Sequence, residues 1–236
     1  MGFSRGPNIV RDGLVFALDA GAVRSYPGSG TTAYSLVDSN TGTLTNGVSF
    51  QTNNGGTFDF DGTDDAINFN GISILNSIGV TSGADNDVAY SMEAWFKLDN
   101  YPAGIGVNGD SIMGHKDPYG IGLQAFGNGS TAYINFGYRN NNNYDSSNIS
   151  INAWHHVVGT REVGGYLRIY IDGEDDYAVT GDLKVDYTTT DFGVGNSSNR
   201  IGPFDGSIAS TRIYSRALTA EEVSQNYNAQ KSRFGL

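Results

Sequence analysis

Four aspartates in one short stretch have the most specific chemistry in the sequence. Asp59, Asp61, Asp64 and Asp65 lie within seven positions around Gly62. Carboxylate oxygens are the ligands that Ca²⁺ prefers, and a loop of this length could wrap a cation. The stretch does not have the spacing of an EF-hand loop. It predicts one structural Ca²⁺ at Asp61, Asp64 and Asp65, with a solvated acidic turn as the alternative.

Tyrosines beside polar loops are candidates for sugar binding. Aromatic rings can stack on a sugar ring while neighbouring Asn and Asp side chains form hydrogen bonds to its hydroxyls. The candidates lie in or next to stretches rich in glycine and asparagine: Tyr101, Tyr119, Tyr138 and Tyr144. They predict a glycan-binding surface. The alternative is that these are ordinary loop residues, since the chain has 14 tyrosines.

Groups of residues that could catalyse a reaction are harder to find in the sequence. Glycoside hydrolysis needs two carboxylates facing one sugar, and residues two apart on a strand share a face. Glu93 lies in a predicted strand, but its neighbours at that spacing are Ser91 and Trp95. His155 and His156 are adjacent, so we expect one inside and one at the surface, not a shared metal ion. We therefore predict that the chain is not an enzyme.

The composition limits the kinds of molecule that the chain could bind. The formal net charge is −11, which repels nucleic acids and anionic membranes. The chain has no cysteine, which favours folding in a reducing compartment. It has no apolar stretch long enough for a signal peptide or a membrane span. We expect folding in a cytoplasm without a signal peptide, and no binding to nucleic acid or membranes.

Hydrophobic periodicity predicts an all-β protein. Apolar residues alternate over 90–98 and 167–171, as in antiparallel strands with one buried face. Further strands are predicted at 13–19, 58–60, 66–70, 111–116, 120–126, 132–138, 155–161 and 207–214. Tight hairpin turns are predicted at 164–165 and 172–173. One helix is predicted near residues 220–230, because Thr219 and Glu222 form a capping-box pattern.

Four segments in order give the chain a family resemblance. They are FDGTDD at 60–65, YSMEAWFKL at 90–98, WHHVV at 154–158 with LRIYIDG at 167–173, and GPFDGSI at 202–208 with RIYSRALTAEE at 212–222. Together they resemble the laminin-G-like domains of the concanavalin A-like lectin/glucanase jelly rolls. The resemblance implies a two-sheet antiparallel sandwich with one short C-terminal helix, and often a structural Ca²⁺. We predict a domain at 13–236, preceded by an extended arm at 1–12.

The opening of the chain resembles a narrower subgroup. DGLVFALDA at 12–20 and YPGSGTT at 26–32 are similar to segments of structural proteins of tailed bacteriophages. This resemblance implies a non-catalytic virion protein, a capsid decoration or accessory protein that binds other virion proteins at the particle surface. The alternatives are a carbohydrate-binding lectin or receptor-binding module and, third, a glycoside hydrolase or lyase.

The N-terminal arm is the predicted attachment segment. It carries Arg5 and Arg11 in a chain of strongly negative net charge, so these two are the candidate partner-binding residues. The alternative is a terminus with no binding role. The sequence leaves homo-oligomer formation open.

Overall fold

Two stacked antiparallel sheets make up the body of the protein. The computed structural model describes residues 8–81, 86–102, 109–115, 121–138, 145–180, 191–196 and 202–236. In chain order the strands are β1 (Leu14–Asp19), β2 (Thr32–Tyr34), β3 (Thr41–Thr45), β4 (Ser49–Gln51), β5 (Thr57–Asp61), β6 (Ala66–Asn70), β7 (Tyr90–Leu98), β8 (Asp110–His115), β9 (Ile121–Gly127), β10 (Ala132–Tyr138), β11 (Asp145–Ile149), β12 (Trp154–Arg161), β13 (Tyr166–Ile171), β14 (Glu174–Thr180), β15 (Asp191–Val194) and β16 (Asp205–Tyr214).

The strand order is that of a jelly-roll sandwich. The first sheet runs β14-β13-β12-β7-β16-β5-β4, and β1 also pairs with β16. The second sheet runs β11-β10-β9-β8-β15-β6-β3-β2. The strand pairs of the described residues are antiparallel. Neighbours in space are therefore often far apart in sequence, which brings residues from both ends of the chain together.

The main hydrophobic core lies between the sheets. Met92, Ala94 and Phe96 of β7 point into it and are fully buried, as the alternation in the sequence predicts. The sheets pack so closely that a Cβ at Gly159 would lie 2.1 Å from the ring of Phe136. Glycine is thus required at this position in β12 because the aromatic ring occupies the space of a side chain.

A helix covers the outer face of the first sheet. This helix, α2 (Ala220–Gln230), begins at Thr219 with the predicted capping box to Glu222. Leu218 and Val223 pack in one cluster with Val158 of β12, consistent with a hydrophobic staple. A 3₁₀ turn at Lys231–Phe234 follows and places Phe234 on Trp95, with ring centroids 4.2 Å apart. Both faces of β7 are consequently buried.

The N-terminal segment is fixed to this helix from residue 8 onward. Val10 is buried, and its backbone N–H donates to Asn226 Oδ1 at 2.7 Å. Asn8 accepts a hydrogen bond from the side chain of Gln225 at 2.7 Å. Residues 8–10 therefore belong to the packed domain, while residues 1–7 of the predicted arm lie outside the described residues.

The predicted fold class is confirmed, with one addition. A second, shorter helix, α1 (Gly71–Ser77), follows β6. The hairpin turn at Asp172 and Gly173 has the expected positive φ angles of 52° and 87°. Among the described residues, no helix has the length and apolar character needed to cross a membrane.

Candidate functional site

The structure brings the three predicted metal ligands together. Asp61 ends β5, Asp65 precedes β6, and Gly62 in the turn between them has a φ of 71°. One carboxylate oxygen from each of Asp61, Asp64 and Asp65 lies within 4.8 Å of the others. A single cation could therefore contact all three.

Asp65 is the central residue of this acidic turn. It is only 3% exposed, and its Oδ2 accepts a hydrogen bond from the backbone of Asp61 at 3.1 Å. Its Oδ1 is buried without a hydrogen-bond partner. Gly47 leaves room beside that oxygen, since a Cβ there would lie 3.1 Å from it. Burial, followed by the charges of Asp61 and Asp64, raises the pKa of Asp65. A buried, unpaired carboxylate oxygen fits a hard cation.

A second acidic pair lies at the same end of the sheet and was not predicted. Asp205, at the start of β16, lies directly opposite Asp61 on β5. It accepts a hydrogen bond from Asn100 at 2.7 Å. Burial and the charge of Asp205 raise the pKa of Asp110 to about 7. Asp205 thus lies beside Asp61 on the neighbouring strand and is close enough to Asp110 for its charge to act on that residue.

Glu93 is sealed beneath α2. Its Oε1 accepts from Arg212 Nη1 at 2.7 Å and lies 3.2 Å from His156 Nε2. Its Oε2 accepts from Asn226 at 2.7 Å and from the hydroxyl of Tyr214 at 3.3 Å. Burial alone would raise the pKa of Glu93, but Arg212 and the other partners lower it to about 2. Glu93 is therefore a buried, charged structural residue that no sugar can reach.

The adjacent histidines point in different directions, as predicted. His155 Nδ1 contacts Asp172 Oδ2 at 2.9 Å, whereas His156 contacts Glu93. The expectation that one of them lies at the surface was wrong, since both are buried. The reason is that α2 and its flanking segments cover the outer face of β12, so neither face of this strand is exposed to solvent.

The four predicted tyrosines are described only in part. Tyr101 follows β7 and is 38% exposed. Tyr138 is the last residue of β10, and its side chain is not described. Tyr119 and Tyr144 lie outside the described residues, and so does Arg5 of the arm. A sugar-binding role for these tyrosines stays a prediction.

Arg11 lies at the rim of an open groove, here called the β1 groove. The groove has a volume of about 400 Å³, and four of the residues that line it belong to β1: Leu14, Ala17, Leu18 and Asp19. The residues that line it include Ile9, Arg11, Leu14, Arg24, Leu36 and Val37. A second depression of about 460 Å³ shares Arg24 and Leu36 and adds Tyr34 and Asp38. The two depressions are therefore neighbours that share part of their lining.

Most of this groove could not be recognised from the sequence. Leu36 lines the groove. Its backbone is held against β1, because the N–H of Leu36 donates to the carbonyl of Ala17 at 2.8 Å. Tyr34 and Val37 are each 44% exposed at its rim. The groove is assembled from residues near both ends of the chain, including Gln230 of α2. Of the residues of the groove, sequence reasoning singled out Arg11 alone, as a candidate partner-binding residue of the arm, and it missed Arg24 and Tyr34.

A family model places the chain among known proteins. The model for the concanavalin A-like lectin/glucanases superfamily matches residues 61–224, well over half of the chain. The chain belongs to this superfamily. A comparison with curated proteins found no match.

Solved structures are similar to this chain in fold. Trypanosoma rangeli sialidase in complex with sialic acid has a TM-score of 0.64 and 15% sequence identity. The receptor-binding domain of botulinum neurotoxin C/D mosaic serotype also has a TM-score of 0.64, with 18% identity. The alignments cover 94% and 92% of this chain, but 33% of the sialidase chain and 51% of the toxin chain. At such identities the likeness shows the fold alone.

Proposed function

We propose that this domain is a non-catalytic carbohydrate-binding module and that the β1 groove is its sugar site. The observation that carries the proposal is the composition of the groove: an exposed tyrosine, apolar side chains and cationic hydrogen-bond donors on one open surface. Small-molecule sites have volumes of roughly 300–1,000 Å³, mostly apolar walls and a few convergent polar groups. The groove has a volume in this range, and its walls combine apolar side chains with polar and charged groups.

The ring of Tyr34 is the proposed stacking platform. An aromatic ring that is half exposed can pack on the apolar face of a sugar, and the exposed Val37 adds apolar surface to the groove. Ser35 and Arg24 supply polar atoms beside it. The neighbours in fold support the proposal, since one is a sialidase bound to sialic acid and another is a receptor-binding domain.

The absence of catalysis is part of the proposal. Glycosidases position two carboxyl groups on either side of the scissile bond. Glu93 is enclosed by Arg212, and Asp19 in the groove is bound to Arg233 at 2.9 Å and to the backbone of Gly21. These two carboxylates serve the packing of the chain. Incubation with glycan polymers should accordingly release no reducing ends.

A glycan array with two matched variants tests the sugar site. Tyr34→Ala removes the proposed platform, and Tyr101→Ala removes an exposed tyrosine outside the groove. We expect the wild-type protein to bind at least one glycan, Tyr34→Ala to lose that binding, and Tyr101→Ala to retain it. Loss of binding only in Tyr101→Ala would move the site to the tyrosine loops. Binding to no glycan would overturn the proposal.

We propose in addition that the acidic turn holds a structural Ca²⁺ through Asp61, Asp64 and Asp65. The supporting observation is the buried Oδ1 of Asp65, which has no hydrogen-bond partner, in a turn where three carboxylates converge. Bound Ca²⁺ would neutralise these charges and tie β5 to β6. It would stabilise the loop end of the sandwich and take no part in a reaction.

The role of the chain in a virion stays a separate prediction. A lectin-like domain can serve as a capsid decoration protein, a receptor-binding module or a free lectin, because fold does not fix function. A mass-spectrometric inventory of purified phage particles distinguishes them. Detection of this chain in stoichiometric amounts supports a particle component, and its consistent absence removes that role.

A further inference from the structure

We infer that the β1 groove selects a sugar that carries a carboxylate, and that the guanidinium groups of Arg11 and Arg24 bind this carboxylate. The inference rests on the proposed sugar-binding function and names the class of ligand. It follows from the pairing of the arginines, the rigidity of the backbone that carries them, and the charge that the groove presents.

The arginines divide into two sets. Seven lie in the described residues, and five of them pair with carboxylates: Arg161, Arg168, Arg212, Arg216 and Arg233. The other two, Arg11 and Arg24, have no carboxylate partner among the described residues, and both line the β1 groove. In a chain of net charge −11, carboxylates are plentiful, so two unpaired guanidinium groups in one groove point to an external anion.

The backbone at both arginines is held in place. Val10, which precedes Arg11, is buried and bonded to Asn226 of α2 at 2.7 Å. Ser25, which follows Arg24, is fully buried, and its N–H is bonded within the same turn at 2.7 Å. The two side chains therefore extend from fixed positions at the rim. Because the backbone is fixed, only the arginine side chains lose conformational freedom when a ligand binds, which limits the entropy cost.

The acidic side chains of the groove are already engaged. Asp19 accepts from Arg233 at 2.9 Å, and Asp38 accepts from the side-chain amide of Asn40. Neither is bonded to Arg11 or Arg24. The amide is neutral, so Asp38 keeps its charge, whereas Asp19 and Arg212 are each balanced by an ion pair, with Arg233 and Glu93 respectively. Arg11 and Arg24 together outweigh Asp38, so the lining of the groove carries a net positive charge in a protein of net charge −11, which favours an anion.

A carboxylated sugar matches all of these features together. The planar guanidinium group matches a carboxylate in geometry and can donate two parallel hydrogen bonds to it. Tyr34 lies in the depression next to Arg24, so the same ligand can stack its ring on the tyrosine while its acid group contacts the arginine. Uronic acids and sialic acids have this combination of ring and carboxylate.

An array of matched glycan pairs tests the inference. Each acidic glycan is printed beside its neutral counterpart: uronate oligosaccharides beside their carboxyl-reduced forms, and sialylated glycans beside the desialylated ones. Affinities for the pairs that bind are then measured by calorimetry. We expect the acidic member to bind and the neutral member to bind at least about tenfold more weakly, as loss of charge-assisted hydrogen bonds implies.

Single substitutions distinguish a specific contact of Arg11 and Arg24 with the ligand from a general effect of positive charge. Arg11→Ala and Arg24→Ala should each lower the affinity about five- to tenfold, with the screening of a solvent-exposed groove taken into account. Arg24→Lys should bind the acidic glycan more tightly than Arg24→Ala but less tightly than the wild type, because lysine keeps the charge and lacks the planar guanidinium group. Arg168→Ala is the control, because it removes one half-buried arginine from β13, on the far side of the same sheet. Its affinity should equal that of the wild type.

The outcomes distinguish this inference from the proposed function. Equal binding of acidic and neutral glycans, with loss in Tyr34→Ala, overturns the selectivity for carboxylates and leaves the sugar site standing. An equal effect of Arg168→Ala and Arg24→Ala overturns the specific contact. Binding to no glycan of either kind overturns the proposed function, and the inference with it.

Discussion

Glu93 and Arg212 lie directly opposite each other on β7 and β16, and their side chains meet at 2.7 Å beneath α2. Both are buried, at 0% and 3% exposure. A charge taken out of water is tolerated only with a partner and further hydrogen bonds, and His156, Asn226 and Tyr214 provide these. The pair thus ties the C-terminal helix to the centre of the first sheet.

Loss of the charge on Glu93 should destabilise the protein strongly. Glu93→Gln keeps the shape of the side chain but leaves Arg212 as a buried charge without its partner. Removal of one member of such a pair costs about 3–5 kcal/mol of unfolding free energy, which denaturant titration can measure. Glu162→Gln, at an exposed glutamate, is the control. A change below about 1 kcal/mol in Glu93→Gln would show that the pair is not buried as described.

The same variant should respond to pH in a defined way. The pKa of Glu93 falls from 4.5 to about 2 on folding, so its contribution to stability is present above about pH 4.5. That contribution is lost as the pH falls towards 2. We expect the stability difference between wild type and Glu93→Gln to be largest near neutral pH and to shrink below pH 4.5. A difference that stays constant with pH would contradict the lowered pKa.

Asp110 should show the opposite dependence. Burial and Asp205 raise its pKa from 3.8 to about 7 on folding, so folding favours the protonated form. The stability that it provides is present below pH 3.8 and is lost as the pH rises through 7. The unfolding free energy of Asp110→Asn should equal that of the wild type near pH 3.5 and exceed it at pH 8, with both proteins measured in EDTA. Asp99→Asn is the control, and a lower stability of Asp110→Asn at pH 8 would contradict the assignment.

Phe234 should anchor the C-terminal turn. Its ring lies between Trp95 and Trp154, with centroid distances of 4.2 and 4.6 Å. Phe234→Ala should lower the unfolding free energy by about 3–5 kcal/mol and shift tryptophan emission to longer wavelength. Leu236→Ala, at a residue that is 52% exposed, should change neither property. An unshifted emission spectrum in Phe234→Ala would mean that the turn does not cover the tryptophans.

Calcium should stabilise the native state through the acidic turn. Binding to the folded state alone contributes about 2.7 kcal/mol at a hundred times the dissociation constant, so the melting temperature should rise in millimolar Ca²⁺ relative to EDTA. Asp65→Asn should abolish the rise, while Asp175→Asn on β14 should retain it. Equal melting temperatures of the wild type in Ca²⁺ and EDTA would rule out the site.

Local patterns in the sequence predicted the features that depend on neighbours in the chain. The alternation over 90–98 predicted which face of β7 enters the core, and Thr219 with Glu222 predicted the start of α2. The acidic turn was predicted because its ligands lie within five positions, 61–65. Short polar strands such as β2 and β4, of three residues each, have too few residues to show a period.

Features that depend on distant segments were missed. Nothing near Glu93 in sequence indicates that Arg212 and Asn226 will enclose it, so the outer face of β7 could not be recognised as buried. The β1 groove combines Arg11, Arg24 and Gln230, which only the pairing of β1 with β16 and the packing of α2 bring together. Sites of this kind form where segments distant in sequence pack together, so no short sequence pattern predicts them.

Mapping of a bound glycan by NMR tests the central claim most directly. Backbone amide resonances are followed while the best-binding acidic glycan from the array is added to the wild-type protein. The β1 groove predicts concentration-dependent shifts at residues 9–11, 23–25 and 34–38, and none around Tyr101. Shifts centred on Tyr101 with an unchanged groove, or no shifts at saturating glycan, would contradict the account.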